Sequence, residues 1–100
     1  FCPIGPWIVT ADELDPENLD LKCWVNDELR QDANTRDLIF DIPAIIACIS
    51  ASMTLNPGDI IATGTPAGVG IGFDPPKFLK PGDTVRIVIS GIGEIENQVA

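Results

Sequence analysis

The sequence predicts a mainly β domain with one helix, an α+β chain. Three patterns carry that expectation. Apolar and polar residues alternate over residues 19–25 and again over 84–90, and the isoleucines of residues 42–53 fall at helical spacing. The tetrapeptides Asn56-Pro57-Gly58-Asp59 and Lys80-Pro81-Gly82-Asp83 are turn signals that each precede an apolar run.

Ile8 and Val9 end a short apolar run after Pro6 and are expected in a strand. Leu19, Leu21, Cys23 and Val25 then alternate with Asp20, Lys22 and Trp24, the period of a half-buried strand. Asn26-Asp27 supplies two residues that tolerate positive φ, so a hairpin returning around Leu29 to Gln31 follows. Asp41 is an N-cap, and Pro43 fits a first helical turn because its missing N–H has no intrahelical partner there. Ile42, Ile45, Ile46, Ile49 and Met53 lie on one face of the helix expected over residues 42–53. Pro57 and Gly58 stand where a type II turn places them, and Ile60, Ile61 and Ala62 are expected as a buried strand. The second such turn leads into a strand over residues 84–90. Gly91-Ile92-Gly93 breaks it, and a last strand is expected around Ile95 to Val99. No solenoid period and no linker divides the chain, so residues 1–100 are read as one unit.

Charge and composition narrow the function. Six Lys plus Arg against fifteen Asp plus Glu give a formal charge of -9, and 45% of the residues are hydrophobic. Such a chain can fill a core and stay soluble. Its acidity repels phosphate backbones, so nucleic acid is not an expected partner. With His 0, no Ser/His, Cys/His or His-ligated metal site can be built. Residues 1–41 hold ten acids and three bases whereas residues 42–73 hold only Asp59, which predicts a solvated first part and a core in the middle. Cys2, Cys23 and Cys48 lie far apart with no Cys-x-x-Cys, so they are expected as buried free thiols in a reducing, cytoplasmic setting. The longest uncharged run, residues 42–58, contains Pro43, Ser50, Ser52, Thr54 and Asn56 and is too short for a membrane span, so no membrane partner is expected.

The most informative stretch is Thr63-Gly64-Thr65-Pro66-Ala67-Gly68-Val69-Gly70, which is glycine-rich, uncharged and placed after an apolar run. Exposed backbone N–H groups and two threonine hydroxyls suit such a loop to a carboxylate or another oxyanion. It is not a phosphate loop, because no Lys occurs in it, and it is not a dinucleotide fingerprint, because the glycine spacing differs and Pro75-Pro76 blocks a helix. The residues alone leave two readings, an anion cradle or a plain β-connection shaped by glycine.

Gly5-Pro6-Trp7-Ile8-Val9-Thr10, Arg30-Gln31, Asn34-Thr35, Ile39-Phe40, Ile49-Ser50, Pro57-Gly58-Asp59-Ile60-Ile61, Thr63-Gly64-Thr65-Pro66, Phe78-Leu79-Lys80-Pro81-Gly82-Asp83 and Gly91-Ile92-Gly93 together resemble, in this order, the fumarylacetoacetate hydrolase superfamily. The sequence is most similar to the branch containing 2-hydroxyhepta-2,4-diene-1,7-dioate isomerases and acylpyruvate hydrolases. The resemblance implies part of a mixed β-sandwich roll, the C-terminal portion of a single catalytic domain, truncated at its N-terminal side. It further implies a cytoplasmic, homodimeric enzyme whose Mg²⁺ or Mn²⁺ chelates a 2-oxo or enolic carboxylic acid, so that hydrolysis, isomerisation or decarboxylation proceeds through an enolate. The incomplete core of so short a chain points the same way on oligomerisation, since a domain this size buries only about 60–65% of its unfolded surface.

Carried over residue by residue, the resemblance makes Thr65 the foremost substrate contact, with Gly64 and Thr63 beside it. Arg30 is a candidate clamp for a distal carboxylate or else a solvated hairpin residue, and Gln31 and Thr35 fall in a segment near the site. The family's Glu-x-Glu, Asp and Lys are not matched: the first Glu-x-Glu is Glu94-Ile95-Glu96, in the terminal strand. Metal ligands are therefore expected upstream of Phe1, and none within the chain. Asp12, Glu13, Asp15 and Glu17 read as a solvated acidic loop, and Trp7 and Trp24 as core or interface. The competing reading is a non-catalytic fragment or degenerate binding module without metal ligands.

Overall fold

The computed structural model describes residues 2–100; Phe1, next to which a truncation is expected, lies outside the described residues. Four strands form one antiparallel sheet: β1 (Asp20–Val25), β2 (Glu28–Asn34), β3 (Thr84–Ile89) and β4 (Gly93–Gln98), in the spatial order β2-β1-β3-β4. Among the described residues one α-helix forms, α1 (Ile42–Ser50), in the long connection between β2 and β3, with short 3₁₀ turns at Thr35–Asp37 and Gly70–Gly72. The α+β expectation holds, as does the expected β1–β2 hairpin.

Asn26 and Asp27 alone separate Val25 from its partner Glu28, and Asn26 has φ 55. A two-residue loop needs that backbone to match the right-handed strand twist. Across the β1–β3 ladder Leu21, Cys23 and Val25 face Ile89, Ile87 and Val85, so one face of the sheet is apolar. Cys23 and Val25 are its most buried members. The other face carries charge: Lys22 pairs with Asp32 at 3.6 Å, Arg86 stacks on Trp24 at 4.2 Å from the ring centroid, and Arg86 reaches Glu94 at 3.6 Å. Glu94 is therefore committed to a cross-strand ion pair.

One end of the sheet is held by a latch between the β1–β2 turn and the start of β3. Asp83 Oδ2 accepts from Lys80 N at 2.8 Å, closing the Pro81-Gly82 turn, while Asp83 Oδ1 accepts from Asn26 Nδ2 at 3.1 Å. Asn26 Oδ1 in turn accepts from Thr84 N at 3.0 Å. These donors, first the Asn26 amide and then the Lys80 N–H, hold the Asp83 carboxyl below its usual range. A depressed folded value stabilises the fold above the unfolded carboxyl value of ~3.9, and that contribution is lost as pH falls through the lower folded value. Urea denaturation of the full-length protein between about pH 5 and 2 should show stability falling with pH, and Asp83→Asn should flatten part of that slope. An unaltered slope in the variant would remove Asp83 from the latch.

Several expectations are corrected. Ile8 and Val9 are not in a strand, and neither are Ile60, Ile61 and Ala62. An apolar run becomes a strand only where a neighbour offers a ladder, and residues 60–62 find none among the described residues; Ile60 stands 72% exposed. The uncharged middle is thus not a core. The helix ends at Ser50, with Ala51–Met53 turning away, and β4 begins two residues early, at Gly93. Asp41 caps α1 as expected, accepting from Ala44 N at 2.8 Å, and Ile42, Ile45 and Ile49 form a half-buried stripe, but Ile46 and Met53 are exposed. Of the three thiols only Cys23 is buried; Cys2 and Cys48 are exposed, Cys48 because it lies off the half-buried Ile42, Ile45 and Ile49 stripe of α1. Trp7 is not core, standing 59% exposed, but its indole Nε1 donates to Ile92 O and its ring covers Gly93, where a Cβ would sit 2.9 Å from it.

Candidate functional site

The glycine-rich loop docks on β2 at a β-bulge. Cys23 pairs with Gln31 and Trp24 with Leu29, so Arg30 is the extra residue. In a regular strand Arg30 and Gln31 would point to opposite faces; the bulge lets both serve the same loop. Gly68, at φ 107, lies against the Arg30 carbonyl, and a Cβ there would overlap that oxygen and stand 3.0 Å from Gln31 Cγ. Only glycine allows this approach.

Arg30 turns beneath residues 73–77. Its guanidinium lies 5.1 Å from the Phe73 ring centroid, and Nη1 donates to Lys77 O at 3.5 Å. Its Nε is 3.1 Å from Glu28 Oε2, a charge contact outside hydrogen-bond geometry that leaves this buried N–H without a hydrogen-bond partner. Lys77 sits over the same Phe73 ring at 4.7 Å and pairs with Glu28. The Lys77 ammonium and then Arg30 keep the Glu28 carboxyl below its usual range. Arg30 thus fastens the loop to the hairpin.

Gln31 reaches the other way. Its amide Nε2 donates to Thr65 Oγ1 at 2.8 Å and to Pro66 O at 2.9 Å. Thr65 stands between two openings. One, of about 590 Å³, is lined by Thr63, Gly64, Thr65, Asn34, Asp37 and Phe40 among others. The second, of about 530 Å³, has Cys23 and Val25 on its floor and Arg30, Gln31, Thr65 and Gly68 on its walls. The structure therefore brings Thr63, Gly64, Thr65 and Gln31 to one place and sets Arg30 apart from the Thr63–Thr65 cleft.

Thr35 borders the first cleft, but its hydroxyl accepts from Leu19 N at 2.8 Å and so serves the fold. Gly68 was not singled out from the sequence, where it is one glycine among several. Its role comes from a contact with Arg30, 38 positions away in the chain, that no local pattern encodes.

The cleft can bind and orient an oxygen-bearing ligand through the Thr63 and Thr65 hydroxyls and loop N–H groups. Cys23, in the second opening, is not an activated nucleophile: burial, the larger effect, pushes its thiol up against the opposing pull of Arg30. A divalent cation does not fit the residues present. Among the described residues no three His, Cys, Asp or Glu side chains come together, and neither Glu94–Glu96 nor the acidic loop of Asp12, Glu13, Asp15 and Glu17 forms such a set. Among the described residues no helix is long and apolar enough to cross a membrane.

Comparison with known proteins gives a consistent result. An uncharacterized protein of Staphylococcus aureus (strain USA300) is 55% identical over 100 residues, which cover 99% of this chain and 33% of that protein. The chain thus spans about a third of the length of the curated relatives it matches. The crystal structure of maleylpyruvate hydrolase from Sphingobium sp. SYK-6 in complex with manganese(II) ion and pyruvate superposes with a TM-score of 0.89 at 60% identity, covering 100% of this chain and 36% of that one. That of 2-hydroxyhepta-2,4-diene-1,7-dioate isomerase from Mycobacterium marinum gives 0.87 at 52% identity, covering 100% and 36%. The family model described as fumarylacetoacetate (FAA) hydrolase C-terminal matches residues 1–100.

Proposed function

Because the chain belongs to the fumarylacetoacetate hydrolase family and matches its C-terminal part, we propose that it is the substrate-facing portion of a metal-dependent hydrolase, isomerase or decarboxylase. The substrate would be a 2-oxo or enolic carboxylic or dicarboxylic acid from aromatic or sugar-acid breakdown. The observation that carries this reading is the Thr65 hydroxyl, exposed on the uncharged loop that lines the cleft and held there by Gln31. An acidic chain of formal charge -9 repels an acidic ligand, so recognition has to come from neutral donors and a cation. The Thr63 and Thr65 hydroxyls and the loop N–H groups would be those neutral donors.

The cation would be Mg²⁺ or Mn²⁺, supplied with ligands by polypeptide outside these hundred residues, as the similarity to a manganese-bound hydrolase supports. Within this chain the work is binding and orientation. Thr65 and Thr63 hold the ligand's oxygens while Gly68 and Arg30 keep the loop seated. Exposed apolar side chains such as Ile39, Phe40 and Ile60 support further cover, from the rest of the protein and from a second subunit of a cytoplasmic homodimer.

The full product of the gene, assayed with maleylpyruvate and with 2-hydroxyhepta-2,4-diene-1,7-dioate, should convert at least one of them. Activity should disappear in EDTA and return with Mn²⁺ or Mg²⁺. Full activity in EDTA would defeat the metal dependence, and no turnover of any 2-oxo or enolic acid would leave the binding-module reading in its place.

A further inference from the structure

We infer that Gln31 is a positioning residue that sets the polarity of the Thr65 hydroxyl, so that the cleft accepts a hydrogen-bond acceptor at that point and rejects a donor. The inference rests on the reading of the cleft as the seat of a 2-oxo acid. The amide of Gln31 can be oriented in only one way. The carbonyl of Pro66, 2.9 Å away, has no proton, so the group facing it must be the NH₂ and not the amide oxygen. The second hydrogen of that NH₂ then points at Thr65 Oγ1, 2.8 Å away. Thr65 is thereby made an acceptor towards Gln31. Its own proton finds no acceptor among the described residues and is left to point into the cleft. A carboxylate or enolate oxygen can take that proton, whereas an ammonium or amide N–H meets another donor. The bulge at Arg30 makes this possible by bringing Gln31 to the loop side of β2.

The full-length protein with Mn²⁺ provides the test, with pyruvate as the probe in calorimetry and maleylpyruvate turnover in parallel. Gln31→Met removes both donated hydrogen bonds but leaves the Thr65 proton free. Gln31→Glu keeps the shape and reverses the polarity, so that the new carboxylate takes the Thr65 proton. Pyruvate should bind about 10-fold or more weakly to Gln31→Glu than to Gln31→Met, with KM rising in step. In the Thr65→Val background that gap should shrink to about 2-fold. Equal losses in the two variants would mean that Gln31 merely anchors the loop and would overturn the inference alone. A gap undiminished by Thr65→Val would also overturn it, since the new charge would then act directly on the ligand. If Thr65→Val by itself leaves pyruvate binding unchanged, the cleft reading falls and takes the inference with it. On unaltered protein, aminoacetone, which presents N–H donors where pyruvate presents a carboxylate, should not bind; affinity matching that of pyruvate would overturn the polarity even if Gln31→Glu does not fold.

Discussion

Gly68→Ala is expected to be the most damaging single substitution in the chain. A methyl group at 68 would enter the Arg30 carbonyl oxygen, which belongs to sheet backbone and cannot swing aside, and φ 107 is unfavourable for any L-residue. Conformational strain of about 1–3 kcal/mol and overpacking of about 1–3 kcal/mol add to roughly 2–6 kcal/mol if the loop stays seated. The loop can escape only by lifting off β2, which breaks the Gln31–Thr65 bond and moves Thr65 from its place. A displacement of about 1 Å at a binding group is enough for a loss on the order of 100-fold in kcat/KM. Gly58→Ala is the control. Its φ of 96 is equally unfavourable, but nothing lies within 4 Å of the added methyl, so only the conformational part applies and activity should persist. Thermal unfolding and kcat/KM of the two variants decide the matter: matching losses in both would mean that the close approach of loop and bulge has no energetic weight.

Thr65→Val should act on function with little effect on the fold. The residue is exposed, its packing is matched by valine, and only the hydroxyl is removed. A hydrogen bond to a charged ligand is worth roughly 1.5–3 kcal/mol, or about 10–150-fold in kcat/KM. Tm should remain close to that of the unaltered protein. A kcat/KM that does not change would take Thr65 out of the site and leave the loop as a plain connection.

The parts of the fold legible in the sequence are those where one local rule decides. Leu21, Cys23 and Val25 alternate because β1 has one apolar face, and Asn26-Asp27 marks its hairpin because few residues accept φ 55. β2 is harder to read. Its sequence Glu-Leu-Arg-Gln-Asp-Ala-Asn shows no alternation, since the bulge puts Leu29 opposite Trp24 and Gln31 opposite Cys23 and so reverses the facing of the strand midway. Ile60, Ile61 and Ala62 have strand composition without a strand, because composition reports what a segment can do and not whether a partner is present. The same division runs through the site. Thr63, Gly64 and Thr65 stand out by composition, and Arg30 and Gln31 by resemblance. That Gln31 holds Thr65 while Arg30 turns away to Phe73 depends on one inserted residue, which no spacing rule detects.

Cys23 lies on the floor of the opening that the Gly68 loop walls, and it is 8% exposed. The chain therefore carries its own clock. A thiol reagent in solution meets Cys2 and Cys48 at once, but it reaches the buried Cys23 only as often as the surrounding packing, the Gly68 loop included, opens. Its slow modification would count those openings, and a ligand bridging Thr65 to the rest of the protein would slow the count without touching the sulfur.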